Sequence, residues 1–216
     1  MGLTNTIFKI LYGAGATLII FFSTLIFSLP LGLPLAFMRM SKNKFAKGIS
    51  TFLISVLRGT PLMLQLIVWF FGPYYIFGIQ LNTGWRLTSI IIGFSINYAA
   101  YFAEIYRAGI ESISIGQYEA ASVLGYTRTE TFAKIIFPQM VKRVLPPVTN
   151  EIITLIKDTS LAFVVAYAEM FTMAKQIAAA ETTILPLFIA GLFYYIFNYL
   201  VAYIMGKVEE SFNYYR

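Results

Sequence analysis

Residues 10–38 read ILYGAGATLIIFFSTLIFSLPLGLPLAFM, and no charged side chain occurs in this stretch before Arg39. The run of about 29 residues exceeds the roughly 20 that an α-helix needs to cross the hydrocarbon core of a bilayer. It is too long for the core of a secretory signal peptide, and neither a basic stretch nor a small-residue cleavage site accompanies it. Pro30 and Pro34 predict a kink near its inner end. This stretch therefore predicts a transmembrane helix.

The composition agrees with an integral membrane protein. Of the 216 residues, 58% are hydrophobic and only 12% are charged, whereas a soluble domain carries about 25% charged residues. The chain has no histidine and no cysteine. Their absence excludes Ser-His-Asp and Cys-His catalysis, zinc or haem ligation through those residues, and disulfides.

Four further apolar segments follow the first, so we predict an all-α membrane protein with five transmembrane helices. Arg58 and Pro61 interrupt the second span, Glu104 lies in the third, and the fourth is the least apolar. Residues 169–181 are predicted to form a short amphipathic helix on the outer membrane surface. We treat residues 1–216 as a single transmembrane domain whose spans cover about 10–38, 49–72, 87–106, 145–168 and 185–205.

The basic residues predict the orientation of these spans. Eleven lysines and arginines fall on one side, in the loop after span one, the segment after span three and the tail that ends at Arg216, and three fall on the other. Because Lys and Arg accumulate on the cytoplasmic side, the N-terminus is predicted outside and the C-terminus in the cytoplasm. The net charge of +6 is then a topology signal, and no nucleic-acid partner is expected.

The longest segment on the cytoplasmic side covers about residues 109–143 and is predicted to form a helix–turn–helix. Residues 119–124 have a helical pattern with small side chains, and Gly125 supplies the turn at the end. Thr129 is predicted to cap the next helix and Pro138 to end it. Small side chains on this helix would allow another protein to approach closely.

The spacing of this segment resembles a known family. Glu119-Ala120-Ala121, then Gly125, then Ile135 and Pro138 are similar to the signature loop of the membrane subunits of bacterial ABC importers, with Phe137 where leucine is usual. Three further stretches resemble the polar amino acid permeases of that group, of the histidine, arginine and glutamine type. These stretches are Arg58–Leu62, Ala103–Ile110 and Lys157–Leu161.

The resemblance implies a type I ABC importer permease in the cytoplasmic membrane, working by alternating access. It implies a second permease subunit, expected to be an identical copy, two cytoplasmic ATP-binding subunits, and an extracellular protein that delivers an amino acid. The chain contains no phosphate-binding loop, so ATP and Mg²⁺ are expected on the partner subunits, with no cofactor and no metal on this chain. The residues expected to dock the ATP-binding subunits are Glu119, Ala120, Ala121, Ser122 and Gly125.

The fourth span carries polar residues at helical spacing. Glu151, Thr154, Leu155 and Asp158 share one face of a helix. The two carboxylates, about 10 Å apart at 1.5 Å per residue, could bracket an elongated cation such as a guanidinium or ammonium side chain. The alternative is that these carboxylates form structural ion pairs with Lys157 or Arg58.

The third span repeats this spacing at Asn97, Ala100, Tyr101 and Glu104. Asn97 and Tyr101 can hydrogen-bond to a polar solute, and Ala100 would leave room for it. The alternative is hydrogen bonding between helices. For Glu104 we predict a local ion pair with Arg107 at the inner surface.

The second span contains Gly59-Thr60-Pro61, which predicts either an interrupted helix or a simple proline kink. If the helix is interrupted, Thr60 is the expected N-cap and Pro61 the first helical residue. The free amides of Leu62 and Met63 would then present a positive helix end to the carboxylate of a solute. Gln65, one turn further, adds polarity.

Together these features predict a permease subunit for polar amino acids, with arginine, lysine or histidine favoured by the carboxylates. A carrier driven by an ion gradient is the alternative, because buried carboxylates can relay protons or bind sodium. A scaffold subunit that transports nothing is a third possibility.

Overall fold

The computed structural model describes residues 2–212, and every regular element in that range is helical, which confirms the predicted all-α class. In chain order the elements are α1 (Leu3–Arg39), α2 (Lys44–Gly59), α3 (Leu62–Phe77), α4 (Thr83–Glu111), α5 (Ile115–Val123), α6 (Arg128–Glu130), a π-helical stretch (Thr131–Ile136), α7 (Phe137–Asp158), a 3₁₀ stretch (Thr159–Val165), α8 (Met170–Glu181) and α9 (Leu185–Ser211).

Helices α1 and α4 form the centre of the molecule and pack closely along their length. A Cβ placed on Gly32 would lie 2.9 Å from the Cβ of Phe102, so the two backbones approach this closely only because glycine has no side chain. Ala36 on α1 and Ala103 on α4 are both fully buried. Small residues at such contacts let helices gain dispersion energy where the hydrophobic effect is weak.

The predicted spans correspond to helices, although the count of five is not established by helix length and composition alone. Within residues 2–212, α1 and α9 are each long and apolar enough to cross a membrane. Helices α2 and α3 qualify together as one broken span bent by 108°. Charged residues lower the apolar content of α4 and α7, so these two spans and the orientation remain predictions. Arg216, part of the charge count, lies outside the described residues.

Helix α7 begins earlier than the predicted fourth span. It continues without a loop from the π-helical stretch, and Pro138 lies in its first turn. Pro138 therefore does not end a helix as predicted. It directly follows the π-helical stretch, where the helical hydrogen-bonding pattern changes. At its other end, α7 gives way after Asp158 to the 3₁₀ stretch, which ends at Ala166 in a left-handed conformation (φ 54°).

Helix α8 forms over the residues predicted to be a short helix and packs against α1 and α9, while its position on the outer membrane surface stays a prediction. The carboxylate of Glu169 is fully buried at its start and accepts hydrogen bonds from the backbone N–H groups of Phe171 and Thr172, both at 2.7 Å. It also accepts one from the Tyr194 hydroxyl of α9 at 3.1 Å. Glu169 thus caps α8 and ties it to α9.

Candidate solute site and coupling loop

The break between α2 and α3 is held by a glutamine side chain. Nε2 of Gln65 donates to the carbonyl oxygens of Leu57 (2.8 Å) and Thr60 (3.2 Å), and to Oγ1 of Thr60 (2.8 Å). A helix that ends at membrane depth leaves carbonyl groups without helical partners, and these groups must be satisfied inside the protein. Gln65 satisfies these carbonyl groups. Of the two alternatives that the sequence left open, the structure shows the interrupted helix and not the simple proline kink.

Asn97 on α4 completes the same network. Its Nδ2 donates to the Leu57 carbonyl at 2.9 Å and to Oε1 of Gln65 at 3.0 Å. Both side chains are buried, Asn97 being 4% exposed and Gln65 9%. These contacts support hydrogen bonding between helices, the alternative stated above for Asn97, and give Gln65 the same structural role.

The cap of α3 differs from the prediction. Pro61 is the N-cap residue and Leu62 the first helical residue, while the Thr60 hydroxyl donates back to the carbonyl of Val56 at 2.8 Å. Thr60 therefore terminates α2 and does not cap α3. The N-terminus of α3 stays accessible all the same, because Gly59 and Thr60 are exposed and Met63 is 37% exposed.

The acidic face predicted on the fourth span lies on α7. Glu151 and Asp158 are half-buried and Thr154 is exposed, and all three belong to the uninterrupted helix Phe137–Asp158. The Tyr98 hydroxyl of α4 donates to Oδ2 of Asp158 at 2.8 Å. The structure therefore brings two carboxylates together on an accessible face beside the tyrosines of α4.

Two predicted members of the site face the interior instead. Ala100 and Leu155 are 0% exposed and belong to the hydrophobic core. This corrects the expectation that they border a solute, since neither presents surface in this conformation. Tyr101 is half-buried, and its ring lies beside Arg58, whose guanidinium carbon is 5.0 Å from the ring centroid.

Sequence reasoning missed Tyr98 as a site residue. The predicted face of α4 ran through Asn97, Ala100, Tyr101 and Glu104, and Tyr98 lies outside it. Helix α4 is buried on almost every side near its centre, from Ser95 to Ala100. Tyr98 lies three residues before Tyr101, and this tyrosine pair is the signal that could have indicated it.

An ion-pair cluster lies at the C-terminal end of α4. Glu104 pairs with Arg107 at 2.8 Å, which confirms the predicted local pair. It also pairs with Arg39 at the end of α1 at 3.2 Å, a contact that the sequence did not predict. Arg107 pairs in addition with Glu111 at 2.5 Å. Glu104 thus fastens α1 to α4 and is fully engaged by protein groups.

The segment that resembles the importer signature loop forms a compact turn around α5. Gly125 adopts φ 77° after the helix, a conformation that favours glycine, and the Tyr126 N–H donates to the Ala121 carbonyl at 3.0 Å. These features agree with the turn predicted at Gly125. Within this loop Ile115, Val123 and Leu124 are 74%, 88% and 73% exposed, so it presents apolar surface to its surroundings.

The docking residues expected on this loop separate into two groups. Glu119, Ala120, Ser122 and Gly125 are exposed. Ala121 is only 1% exposed, which corrects the expectation that it presents a docking surface. Its small side chain packs inside the loop and lets α5 lie close to the helix that follows.

The helix after the turn starts at a different cap from the predicted one. Thr127, not Thr129, forms a reciprocal capping box with Glu130. The backbone N–H of Thr127, then its hydroxyl and Lys134, stabilise the ionised carboxylate and lower the pKa of Glu130 to about 2. Thr127 is the N-cap residue because its position places Glu130 at N3, where the glutamate side chain can hydrogen-bond to the backbone N–H of the cap.

No group of three or more acidic side chains in residues 2–212 is arranged as a metal site. The arrangement is instead suited to non-covalent binding. One region offers half-buried carboxylates and the free end of a helix, and the other offers an exposed apolar loop. Such a molecule can bind a small polar solute at one place and a protein at another.

Comparisons with known proteins identify the family of the chain. The family model described as the binding-protein-dependent transport system inner membrane component matches residues 28–213. The arginine transport system permease protein ArtQ of Bacillus subtilis is 37% identical over 94% of this chain and 91% of its own length. A putative glutamine transport system permease protein GlnP of Rickettsia felis is 34% identical over 86% of this chain and 84% of its own.

Solved structures show the same fold. A crystal structure of an amino acid ABC transporter with histidines superposes with a TM-score of 0.85 at 30% identity, covering 94% of both chains. The MetNI methionine ABC transporter gives a TM-score of 0.69 at 18% identity over 97% of this chain and 95% of that one, a likeness of fold alone.

The chain belongs to the inner membrane component family of binding-protein-dependent transport systems. It is a permease of an ABC amino acid importer, a membrane subunit without an ATPase site of its own.

Proposed function

We propose that the chain is one of two permease subunits that together carry cationic amino acids across the membrane by alternating access. The observation that carries the proposal is the acidic face of α7. Glu151 and Asp158 lie two helical turns apart with the exposed Thr154 between them. Charged groups at membrane depth are costly and usually face a solute path or a partner.

The geometry favours a solute with an elongated cationic side chain. Two turns of helix separate the carboxylates by about 10 Å along the axis, so a guanidinium or ammonium group could contact one while the solute's polar end lies near the other. The solute's own carboxylate would meet the start of α3, where the amides of Leu62 and Met63 form a positive helix end beside Gly59 and Thr60.

The relatives carry several solutes. Their names include arginine, glutamine and L-cystine transport systems. The pair of carboxylates favours the arginine-like end of this range for our chain. Glutamine has a neutral side chain and would not form a charge-assisted hydrogen bond with charge on both partners at either carboxylate.

The polar face of this chain also argues for a second permease subunit. Arg58, Asn150, Thr154 and Lys157 are exposed on α2 and α7 at the depth of the predicted spans. Lipid cannot satisfy such groups, so they must face protein or water. A second copy of the chain would enclose them and complete a polar pathway, with five spans in each subunit, the N-termini outside and the C-termini in the cytoplasm.

The coupling loop would connect this pathway to the ATP-binding subunits. We define the coupling loop as residues 109–143. Its exposed Glu119, Ala120, Ser122 and Gly125 would dock against an ATP-binding subunit, with Val123 and Leu124 as the apolar contact. Two such subunits would hold ATP and Mg²⁺, and an extracellular binding protein would deliver the amino acid.

The test is to neutralise the carboxylates without changing their shape. Because an external binding protein has a specificity of its own, binding of labelled arginine is measured on the purified permease–ATPase complex alone. Glu151→Gln and Asp158→Asn each remove a charge-assisted hydrogen bond, so we expect arginine affinity to fall roughly 10- to 100-fold.

Citrulline, which replaces the guanidinium by a neutral ureido group, should bind the variants and the parent complex with similar affinity. Glu210→Gln, which neutralises an exposed carboxylate paired with Lys207 near the end of α9, is the control and should change neither affinity. Unaltered arginine binding in both site variants would refute the proposed solute site.

A further inference from the structure

Arg58 occupies an unusual position at the junction of two regions. It lies in the last turn of α2, next to the break, and its guanidinium lies over the ring of Tyr101 at 5.0 Å. Among residues 2–212 it forms a salt bridge with no carboxylate. An arginine held only by an aromatic face is free to move, because that contact is weaker than a bidentate ion pair.

The two carboxylates of α7 differ in the charges that act on them. Glu151 interacts electrostatically with Arg58, whereas Asp158 interacts with Lys157 and accepts the hydrogen bond from Tyr98. Asp158 therefore has a fixed hydrogen-bond donor. Glu151 has no hydrogen-bond donor among the described residues. Arg58 is the cation that acts on it, and the charge of Asp158 acts on it in the opposite sense.

On its other side, Arg58 borders a cavity of about 550 Å³ between the inner ends of α4 and α7. Arg107 and Arg143 also line this cavity, and its one carboxylate, Glu104, is already engaged by Arg39 and Arg107. The solute face thus carries acidic groups, the cavity carries mainly guanidinium groups, and Arg58 lies between them.

We propose that Arg58 is a tethered counter-cation that competes with the solute for Glu151. In the empty permease its guanidinium, held over Tyr101, balances Glu151. The cationic group of an incoming amino acid takes its place, and Arg58 moves away from Glu151. When the solute leaves, Arg58 returns to Glu151 and disfavours rebinding, because two cations share one carboxylate poorly in a low-dielectric site.

This inference rests on the proposed function, since it requires Glu151 to contact the solute. It makes Arg58 a specificity-determining residue that acts through Glu151 and that lowers affinity for cations. The expected sign is therefore opposite to that of an ordinary binding residue. Removing the charge of Arg58 should tighten the binding of arginine.

The experiment measures equilibrium binding of arginine and of citrulline to the purified permease–ATPase complex. We expect Arg58→Gln to bind arginine roughly three- to tenfold more tightly and to leave citrulline affinity unchanged. Arg58→Lys, which keeps the charge, should resemble the parent complex. In a Glu151→Gln background, Arg58→Gln should have no further effect on arginine binding.

Several results would overturn the inference. Weaker arginine binding in Arg58→Gln, an unchanged ratio of arginine to citrulline affinity, or an undiminished effect in the Glu151→Gln background would each do so. If neither Arg58→Gln nor Arg58→Met assembles while Arg58→Lys does, the charge serves folding and the inference is wrong. The proposed function fails separately, when Glu151→Gln and Asp158→Asn leave arginine binding unaltered.

Discussion

The acidic face of α7 and the coupling loop are both made of side chains that differ from their surroundings, but in opposite senses. On α7, Glu151 and Asp158 place charge among apolar helices. On the coupling loop, Val123 and Leu124 place apolar side chains at 88% and 73% exposure. Charge at membrane depth indicates a polar solute or counter-ion, whereas exposed apolar side chains grouped on one loop indicate a protein contact.

The difference predicts how each region should respond to mutation. In the proposed function the α7 face acts through charge, so isosteric neutralisation should impair it. The proposed role of the coupling loop depends on shape, so added bulk or lost turn geometry should impair it while removal of charge has less effect. The following predictions test this contrast, beginning with the largest expected effect.

Gly125→Val should abolish ATP-dependent uptake. Gly125 has φ 77°, and a β-branched residue in this region is strained by roughly 1–3 kcal/mol. The turn after α5 would open and the docking surface would lose its form. We expect co-purification of the ATP-binding subunits to fall at least about tenfold.

The matched control is Gly116→Ala, since a Cβ at Gly116 meets nothing within 4 Å. It should keep both subunit association and uptake. Retention of the ATP-binding subunits by Gly125→Val would show that the turn is not the docking element.

Gly109→Ala should destabilise the contact of α4 with α7. A Cβ at this position would lie 2.2 Å from Cγ1 of Val144, and overpacking of this kind costs roughly 1–3 kcal/mol. For a chain of this size we expect a decrease in the thermal midpoint of about 2–10 °C, followed by fluorescence-detected unfolding in detergent. Gly191→Ala, which meets nothing within 4 Å on α9, should not lower the midpoint.

Asn97→Ala should lower stability without changing solute preference. It removes the hydrogen bonds to the Leu57 carbonyl and to Gln65, at a cost of about 1–2 kcal/mol. The ratio of arginine to citrulline affinity should stay that of the parent complex. A marked change in that ratio, with the thermal midpoint preserved, would show that Asn97 contacts the solute and would contradict its structural role.

Thr127→Ala should have the smallest effect. The loss of an N-cap costs about 1 kcal/mol locally, so hydrogen exchange at Glu130 and Thr131 should speed up several-fold while uptake is retained. The wild-type cap should also depend on pH. Because the pKa of Glu130 is lowered to about 2, its contribution is complete above its ordinary pKa near 4.5 and is lost progressively as the pH falls from there through about 2.

Protection of these two amides, corrected for intrinsic exchange, should therefore stay constant from neutral pH down to about pH 5 and decline progressively between about pH 4.5 and 2. Protection that does not change over this lower range would show that Glu130 does not stabilise the cap. Thr127→Ala removes the hydroxyl that helps to hold the carboxylate, so its decline should be smaller, and it serves as the reference.

The sequence allowed the helical class, the interrupted second span and the turn at Gly125 to be predicted, because each depends on local chemistry. An uncharged stretch, a Gly-Thr-Pro sequence and a glycine after a helix act through their immediate neighbours. The acidic face of α7 was predicted for the same reason, since residues at i and i+7 on one helix need no tertiary information.

The contacts between helices could not be predicted in this way. Gln65 and Asn97 suggested a solute site, but their hydrogen bonds go to the end of α2, because the break there leaves carbonyl groups to be satisfied. The bond from Tyr98 to Asp158 and the pair of Arg39 with Glu104 each join residues of different helices. Helix periodicity predicts which residues share one face of a helix. Which other helix, solute or lipid contacts that face depends on the tertiary packing.

The central claim is that this chain forms a solute path that partner subunits drive with ATP. The most direct measurement is uptake of labelled arginine into proteoliposomes holding the complete complex, with its binding protein present. We predict uptake that requires ATP, that is unaffected by dissipating proton and sodium gradients, and that is absent with the permease alone. Arginine uptake by the isolated chain, driven by an ion gradient without ATP, would contradict this account.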